Sequence, residues 1–178
     1  VNSGKLLLNE SFFINQTCHI GGVIAYADKG TKDVANCVNS GSITYLGSCK
    51  YVDRATIKGN ANIVLGGVAG FCWSESVSNC RNLESAVINV AGKVAGNGDI
   101  KRNIATLDSM TSIAGVIGTR AGKQSVLGSS APVTTENCSN FGNVEFAWQY
   151  CGASYIFNSA CIGVFDSDRA VACKNDGS

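Results

Sequence analysis

The sequence predicts an all-β chain that folds as a parallel β-solenoid, similar to a β-helix, made of four diverged repeats with inserted loops. One motif, glycine-valine-apolar followed by Cys-x-Asn-x-Gly, occurs four times, and such self-similarity is typical of repeat architectures. Apolar residues after each motif recur at a spacing of two, which is the spacing of a strand. No 11-residue window keeps the apolar spacing of an amphipathic helix.

Each copy of the motif has two halves separated by a loop of variable length. The first half covers 21–25, 66–70, 114–118 and 162–165. The second half covers 36–41, 79–84, 137–142 and 173–177. Two departures stand out: Glu84 replaces the motif glycine, and Ala172 replaces the asparagine that precedes the cysteine.

The motif divides the chain into one repeat domain, 1–178. Its four periods are 5–41, 42–84, 85–142 and 143–178. Asn2-x-Gly4 resembles the end of a preceding motif, and Asn175-x-Gly177 stops at the same point, whereas natural repeat arrays end in atypical caps. We therefore expect a longer chain or an assembly, with the chain itself or neighbouring repeats as partners at both ends.

Two sets of strands are predicted from the apolar pattern. The residues two and four positions after the motif glycine should form two interior ladders: Leu6 and Leu8, Ile43 and Tyr45, Ala86 and Ile88, Val144 and Phe146. The glycine-valine strand is apolar on both faces, as in parallel sheets that are covered on both sides. The sequence does not decide which face of this strand points to the core. One face would present Val23, Val68, Val116 and Val164. The other would present positions 20, 65, 113 and 161 together with 24, 69, 117 and 165.

The Cys-x-Asn-x-Gly half predicts a corner, because asparagine favours turns and glycine tolerates positive φ. Equivalent asparagines should bond along the stack as an amide ladder: Asn39, Asn82, Asn140 and Asn175. The motif cysteines should form a parallel ladder of buried free thiols, although a spacing of about 4.8 Å also admits a disulfide: Cys37, Cys80, Cys138 and Cys173. The better disulfide candidates lie off the motif: Cys18, Cys49, Cys72, Cys151 and Cys161.

Composition points to a compartment outside the cytoplasm. Nine cysteines in 178 residues are many for a cytosolic chain, since reducing compartments disfavour them. The 14 basic and 13 acidic residues are scattered along the chain and give a net charge of +1. Since they form no basic patch, we expect no nucleic-acid partner. No apolar run reaches the ~18 residues of a membrane span, and we expect no membrane insertion. The sequons at Asn9, Asn15 and Asn137 are close to chance.

No catalytic, cofactor or metal site is predicted. Zinc sites use Cys-x-x-Cys pairs or close histidines, but His19 is the only histidine. Its neighbour Cys18 would point to the opposite face of a strand, so we expect a packed cysteine beside a surface histidine. A polysaccharide-processing β-helix would need clustered acids, whereas the one tight pair, Asp166 and Asp168, is typical of a solvated turn.

Aromatic side chains at strand edges leave two roles open. Trp73, and Trp148 with Tyr150, either pack under a loop or are exposed to bind sugars or a protein partner. Rigid aromatic side chains are frequent anchors at interfaces. The sequence favours neither role decisively.

Gly-Val-Ala-Gly at 67–70 and Gly-Val-Ile-Gly at 115–118, each followed by Asn-Cys-x-Asn, resemble the GLUG-type repeats of bacterial cell-surface proteins. Such repeats are common in surface proteins of Bacteroides-like gut bacteria. The resemblance covers nearly the whole chain and implies a β-solenoid in an exported, adhesin-like surface protein, with no catalytic residue. We expect a structural and adhesive module (a stalk or binding scaffold) with a protein or glycan ligand. A self-assembling filament subunit is the alternative.

Overall fold

The structure is a computed structural model that describes residues 1–8, 12–13, 18–28, 30–46, 48–50, 63–90, 93–95, 111–121, 133–146, 156–159, 161–165 and 169–177. Regular secondary structure within these ranges consists of β-strands, with no helix. The predicted all-β class is therefore confirmed.

The strands form six sheets, which we number I to VI in chain order. Sheet I contains β1 (Leu6–Leu8), β7 (Ile43–Tyr45), β13 (Val87–Val90) and β19 (Asn143–Phe146). Sheet II contains β2 (Phe12–Phe13), β8 (Ser48–Lys50) and β14 (Lys93–Ala95). Sheet III contains β3 (Cys18–Gly21), β9 (Ile63–Gly66), β15 (Thr111–Ala114) and β20 (Ile156–Ser159).

The second half of each repeat supplies the other three sheets. Sheet IV contains β4 (Ile24–Ala27), β10 (Ala69–Cys72), β16 (Ile117–Arg120) and β21 (Ile162–Phe165). Sheet V contains β5 (Asp33–Ala35), β11 (Ser76–Ser78), β17 (Thr134–Glu136) and β22 (Arg169–Val171). Sheet VI contains β6 (Val38–Asn39), β12 (Arg81–Asn82), β18 (Ser139–Asn140) and β23 (Lys174–Asn175).

Each pass of the chain through these sheets, which we call a rung, visits them in the same order, although the described residues of the last rung include no strand of sheet II. Rung 1 is β1 to β6, rung 2 is β7 to β12, rung 3 is β13 to β18 and rung 4 is β19 to β23. Each rung pairs with its neighbours in parallel, as in the register Asn39–Asn82 and Asn82–Asn140. The predicted parallel stacking of sheets is confirmed.

The third rung corrects the predicted register of sheet I by two residues. Ile88 pairs with Ile43, and Val90 pairs with Tyr45, so Ala86 precedes the strand. The predicted ladder of Leu8, Tyr45, Ile88 and Phe146 is therefore wrong at Ile88, and Val90 takes that place. A turn closed by the Ala86 N–H and the Leu83 carbonyl (2.9 Å) accommodates the two extra residues. An even shift keeps the same side chains facing inward.

The fourth rung corrects a second register. Ile162 pairs with Ile117, so Cys161 occupies the position predicted for Val164. The Val116 N–H donates to the Cys161 carbonyl at 2.9 Å, repeating the bond from the Val68 N–H to the Val116 carbonyl. Val164 pairs instead with Thr119. The fourth repeat therefore has Gly163 at the position of Gly118, the second glycine of Gly-Val-x-Gly, and no glycine at the position of the first.

Two clusters of the described core lie on the two sides of sheet IV, in addition to buried residues of sheets I and III such as Ile43 and Leu65. The larger part gathers Val68, Ala69, Val116, Ile117, Val34, Val77 and the thiols of Cys80 and Cys138. The smaller part gathers Val64, Phe71 and Ala121 with the half-buried Trp73. The chain bends at 67–68, so strand alternation is interrupted and Val68 and Ala69 reach the same cluster. Val116 and Ile117 do the same in rung 3, so members of both predicted sets are buried in one cluster. Positions 161 and 165 do not belong to the second set, because Asn158 pairs with Ile113 and Ile162 pairs with Ile117.

The left-handed residue of each corner is the asparagine before the cysteine. Asn36, Asn79 and Asn137 have φ of 56°, 54° and 52°, and Ala172 has 53°. The corner is therefore formed one position before the cysteine, and neither the motif asparagine nor the motif glycine, the two residues expected to form it, supplies the positive φ. A Cβ at Gly41 would instead collide with the Gly4 carbonyl of the neighbouring rung, so this glycine is needed for close approach.

Candidate functional site

A continuous amide ladder is the most regular polar feature of the molecule. Each side chain donates from Nδ2 to the Oδ1 of the next rung: Asn2 to Asn39 at 2.8 Å, Asn39 to Asn82 at 2.7 Å, Asn82 to Asn140 at 2.8 Å, and Asn140 to Asn175 at 2.8 Å. The three central asparagines are fully buried. The predicted ladder is confirmed, and Asn2 extends it by one position.

The second amide hydrogen of the ladder asparagines closes the local turn. Asn39 Nδ2 also donates to the Gly41 carbonyl at 2.9 Å, and Asn140 Nδ2 donates to the Gly142 carbonyl at 2.8 Å. Both hydrogens of these buried amides are used, which avoids the cost of a buried donor without a partner. Each asparagine therefore fixes its own corner and joins it to the next rung.

A thiol ladder runs beside the amide ladder. Cys37, Cys80, Cys138 and Cys173 are free thiols, and each sulfur donates to the carbonyl two residues earlier, at 3.5 to 3.7 Å. The motif cysteines are therefore free thiols in the structure, as the sequence predicts. Cys80 and Cys138 have no exposed surface.

Contacts between neighbouring thiols of the ladder shift their pKa values in opposite directions. The hydrogen bond with Cys138 lowers the pKa of Cys173 below its ordinary value, and it does the same to the pKa of Cys80. The same contacts, first with Cys173 and then with Cys80, raise the pKa of Cys138 together with burial. Among the partly exposed sulfurs Cys37, Cys161 and Cys173, only Cys173 has a lowered pKa.

Two of the predicted disulfide candidates are free thiols in the structure. Cys72 is fully buried and lies 3.3 Å from the Ser74 hydroxyl. Cys161 points at the Cys138 carbonyl, 3.7 Å away. Burial raises the pKa of Cys161 to about 12 and raises that of Cys72. The prediction is wrong for both: Cys72 is buried in the core, Cys161 is half-buried against it, and both are free thiols. The side chains of Cys18, Cys49 and Cys151 lie outside the described set.

Arg120 is a buried cation that the sequence reading did not single out. Its guanidinium group has no exposed surface, and its five N–H groups have five uncharged acceptors. These are Thr135 Oγ1 and the carbonyls of Cys72, Ala121, Glu75 and Thr134, at 3.0 to 3.4 Å. Burial lowers the pKa of Arg120. A signal was present: Arg120 pairs in sheet IV with Cys72 and Phe165, so a charge occupies an apolar position.

Aromatic side chains cluster on the other side of sheet IV. Tyr26 stacks on Phe71 with centroids 5.0 Å apart, and His19 meets both rings edge to face. Trp73 packs edge to face on Phe71 at 5.8 Å and is half-buried. The prediction of a surface histidine is wrong, since His19 belongs to this cluster. Trp73 packs against it, whereas Trp148, Tyr150, Asp166 and Asp168 lie outside the described residues.

Among the residues that the structure describes, no group of three or more His, Cys, Asp or Glu side chains is placed to hold a metal ion. No helix in those ranges is long and apolar enough to cross a bilayer. The chain matches no family model, and no curated protein or solved structure matches it.

Proposed function

We propose that this chain is a structural and adhesive repeat module of an extracellular surface protein, without enzymatic activity. The observation that carries the proposal is the buried amide ladder from Asn2 to Asn175. Such a ladder holds successive repeats in one register, which is the property required of a rigid stalk or binding scaffold.

The proposed architecture is a β-solenoid in which each rung is one coil. All rungs visit the sheets in one order, and Gly67, beside sheet IV, lies against Asn82 of sheet VI. Such a contact across the rung supports a coil with a filled interior. The motif and this parallel stacking together support membership of the GLUG-type surface repeats.

The surface location rests on the sequence: nine cysteines, low charge and the resemblance to exported repeats. The proposed ligand is a protein or a glycan, with no nucleic acid and no membrane insertion. Tyr26 is 41% exposed and stacks on the buried Phe71, so it presents a braced aromatic surface of the kind that interfaces use.

Surface display can be tested on intact native cells. An antibody raised against 1–178 should label unbroken cells, and brief treatment of those cells with an external protease should remove the signal. Antibody against a cytoplasmic protein serves as the control for lysis. Labelling that appears only after lysis would rule out the surface assignment.

A filament subunit is the second candidate, and the ladder asparagines show how copies would join. Asn39 and Asn140 each donate two hydrogen bonds from Nδ2, whereas Asn175 Nδ2 donates to the Gly177 carbonyl. A second copy or a neighbouring repeat that presents Asn2 would continue the ladder there, as a head-to-tail contact that does not close.

Light scattering at increasing concentration, followed by electron microscopy, distinguishes the two candidates. The filament role predicts linear polymers that shorten in the Asn175→Ala variant, because the ladder then loses its donor. A monodisperse monomer of wild-type chain at all concentrations contradicts the filament and leaves the stalk.

A further inference from the structure

Cys138 and Cys173 lie on successive rungs in the same register. Ser139 pairs with Lys174, and the Lys174 N–H donates to the Cys138 carbonyl at 2.9 Å. Residues that face each other in neighbouring strands lie ~4.8 Å apart. Disulfides join residues whose Cα atoms are about 4.4–6.8 Å apart. The two cysteines are therefore within the range for a covalent bridge.

The direction of each sulfur divides the thiol ladder into two pairs. Cys173 Sγ lies 3.7 Å from the Thr135 carbonyl, which belongs to the rung of Cys138. Cys80 Sγ lies 3.6 Å from the Val34 carbonyl, so it leans in the same way towards the rung of Cys37. The sulfur that leans towards Cys138 is therefore that of Cys173.

Each pair joins one partly exposed sulfur, Cys37 or Cys173, to one fully buried sulfur, Cys80 or Cys138. A small reagent can thus reach Cys173 first, while Cys138 is held behind it. The contact with Cys138 lowers the pKa of Cys173, whereas burial raises the pKa of Cys37. Since the thiolate is the attacking species, Cys173 is the more reactive of the two exposed sulfurs.

We propose that Cys138 and Cys173 form an oxidisable thiol pair that reacts with a low-molecular-weight disulfide such as oxidised glutathione. The Cys173 thiol loses its proton to solvent, and the thiolate attacks one sulfur of the reagent. A mixed disulfide forms, and one thiolate leaves and is protonated. The Cys138 thiol then attacks the Cys173 sulfur, forming the Cys138–Cys173 bond; the second reagent thiolate leaves and takes the proton that Cys138 gives up. Two protein thiols are oxidised, and one reagent disulfide is reduced to two thiols.

Peptide mapping of the native chain locates the bond. The folded chain is incubated with oxidised glutathione at neutral pH, remaining thiols are alkylated, and trypsin is added. Cleavage after Lys123, Arg169 and Lys174 gives peptide 170–174, whose single cysteine is Cys173, and peptide 124–169 with three cysteines. These peptides should be joined, and fragmentation of the joined pair should place the bond at Cys138.

Two variants separate Cys138 from its neighbour Cys161. Cys161→Val restores the residue found at 23, 68 and 116 and should leave the Cys138–Cys173 bond unchanged. Cys138→Ser should stop the reaction at glutathione-modified Cys173.

Three results would overturn the proposal: a bond placed at Cys151 or Cys161, persistence of the joined peptides in Cys138→Ser, or no joined peptides from the native wild type. If Cys138→Ser is unfolded by circular dichroism, bond placement in the wild type and Cys161→Val decides the outcome.

Discussion

Gly67 lies directly against the side chain of Asn82: a Cβ at Gly67 would be 2.5 Å from Asn82 Oδ1 and 2.7 Å from its Cγ. The preceding repeat has the same contact, where a Cβ at Gly22 would be 2.6 Å from Asn39 Oδ1. The two halves of the motif, separated in sequence by a loop, therefore meet in space. The glycine before the valine leaves the room that the ladder asparagine occupies.

Replacing Gly67 by alanine should destabilise the chain. The new methyl group would collide with Asn82 and with the Gly115 carbonyl, and overpacking of this kind costs about 1–3 kcal/mol. Urea unfolding followed by circular dichroism measures the change. Gly30→Ala is the matched control, because nothing lies within 4 Å of a Cβ there, and it should be nearly neutral. Equal effects of the two substitutions would contradict the packing described.

Replacing Asn82 by alanine should remove about 2–4 kcal/mol of stability. The change leaves Asn39 without its acceptor and Asn140 without its donor, and each stranded buried group costs about 1–3 kcal/mol. Asn175→Ala is the comparison, since Asn175 is exposed and should cost less. A smaller loss at Asn82 than at Asn175 would argue against a buried ladder.

Replacing Ala172 by asparagine should stabilise the chain by roughly 0.5–1 kcal/mol. Ala172 has φ of 53°, a conformation that asparagine tolerates better than alanine. The reverse change, Asn137→Ala, places alanine at φ of 52° on the exposed corner of rung 3 and should destabilise by a similar amount. Thermal unfolding of both variants checks the prediction, which fails if the two shifts have the same sign.

Stability should fall at alkaline pH partly because of Cys161. Its pKa is raised from 9.0 to about 12 by burial, so the unfolded chain releases this proton at lower pH than the folded chain does. The contribution is complete below pH 9 and is lost as pH rises towards 12. Cys161→Val removes this titration, so the variant should lose less stability than the wild type between pH 9 and 12 in urea unfolding. Parallel pH curves for the two chains would refute this origin.

The motif asparagines and the parallel class were predictable because each depends on one short pattern. Cys-x-Asn recurs in every repeat, and the equivalence of Asn39, Asn82 and Asn140 follows directly from it. Register beyond the motif was less predictable. The turn at Leu83 and Ala86 adds two residues, and apolar alternation is unchanged by an even shift.

The fourth rung and Arg120 show a second kind of limit. Cys161 replaces a core valine, and a small apolar thiol is an adequate substitute, but Gly163-Val164 has the same two residues as the motif and lies three positions later. Arg120 can be buried because the carbonyls of Cys72 and Glu75 in rung 2 and of Thr134 in rung 3 all accept hydrogen bonds from it. That convergence depends on the stacked backbone and leaves no local pattern in the sequence.

The most direct test is the measurement of scalar couplings across hydrogen bonds by nuclear magnetic resonance, on the isotope-labelled chain 1–178. These couplings identify which amide donates to which carbonyl. The parallel stack predicts three at the motif: Arg81 N–H to the Cys37 carbonyl, Ser139 N–H to Cys80, and Lys174 N–H to Cys138. Observing all three would establish the stacking of four rungs in this register. Couplings from these amides to any other carbonyls would contradict it.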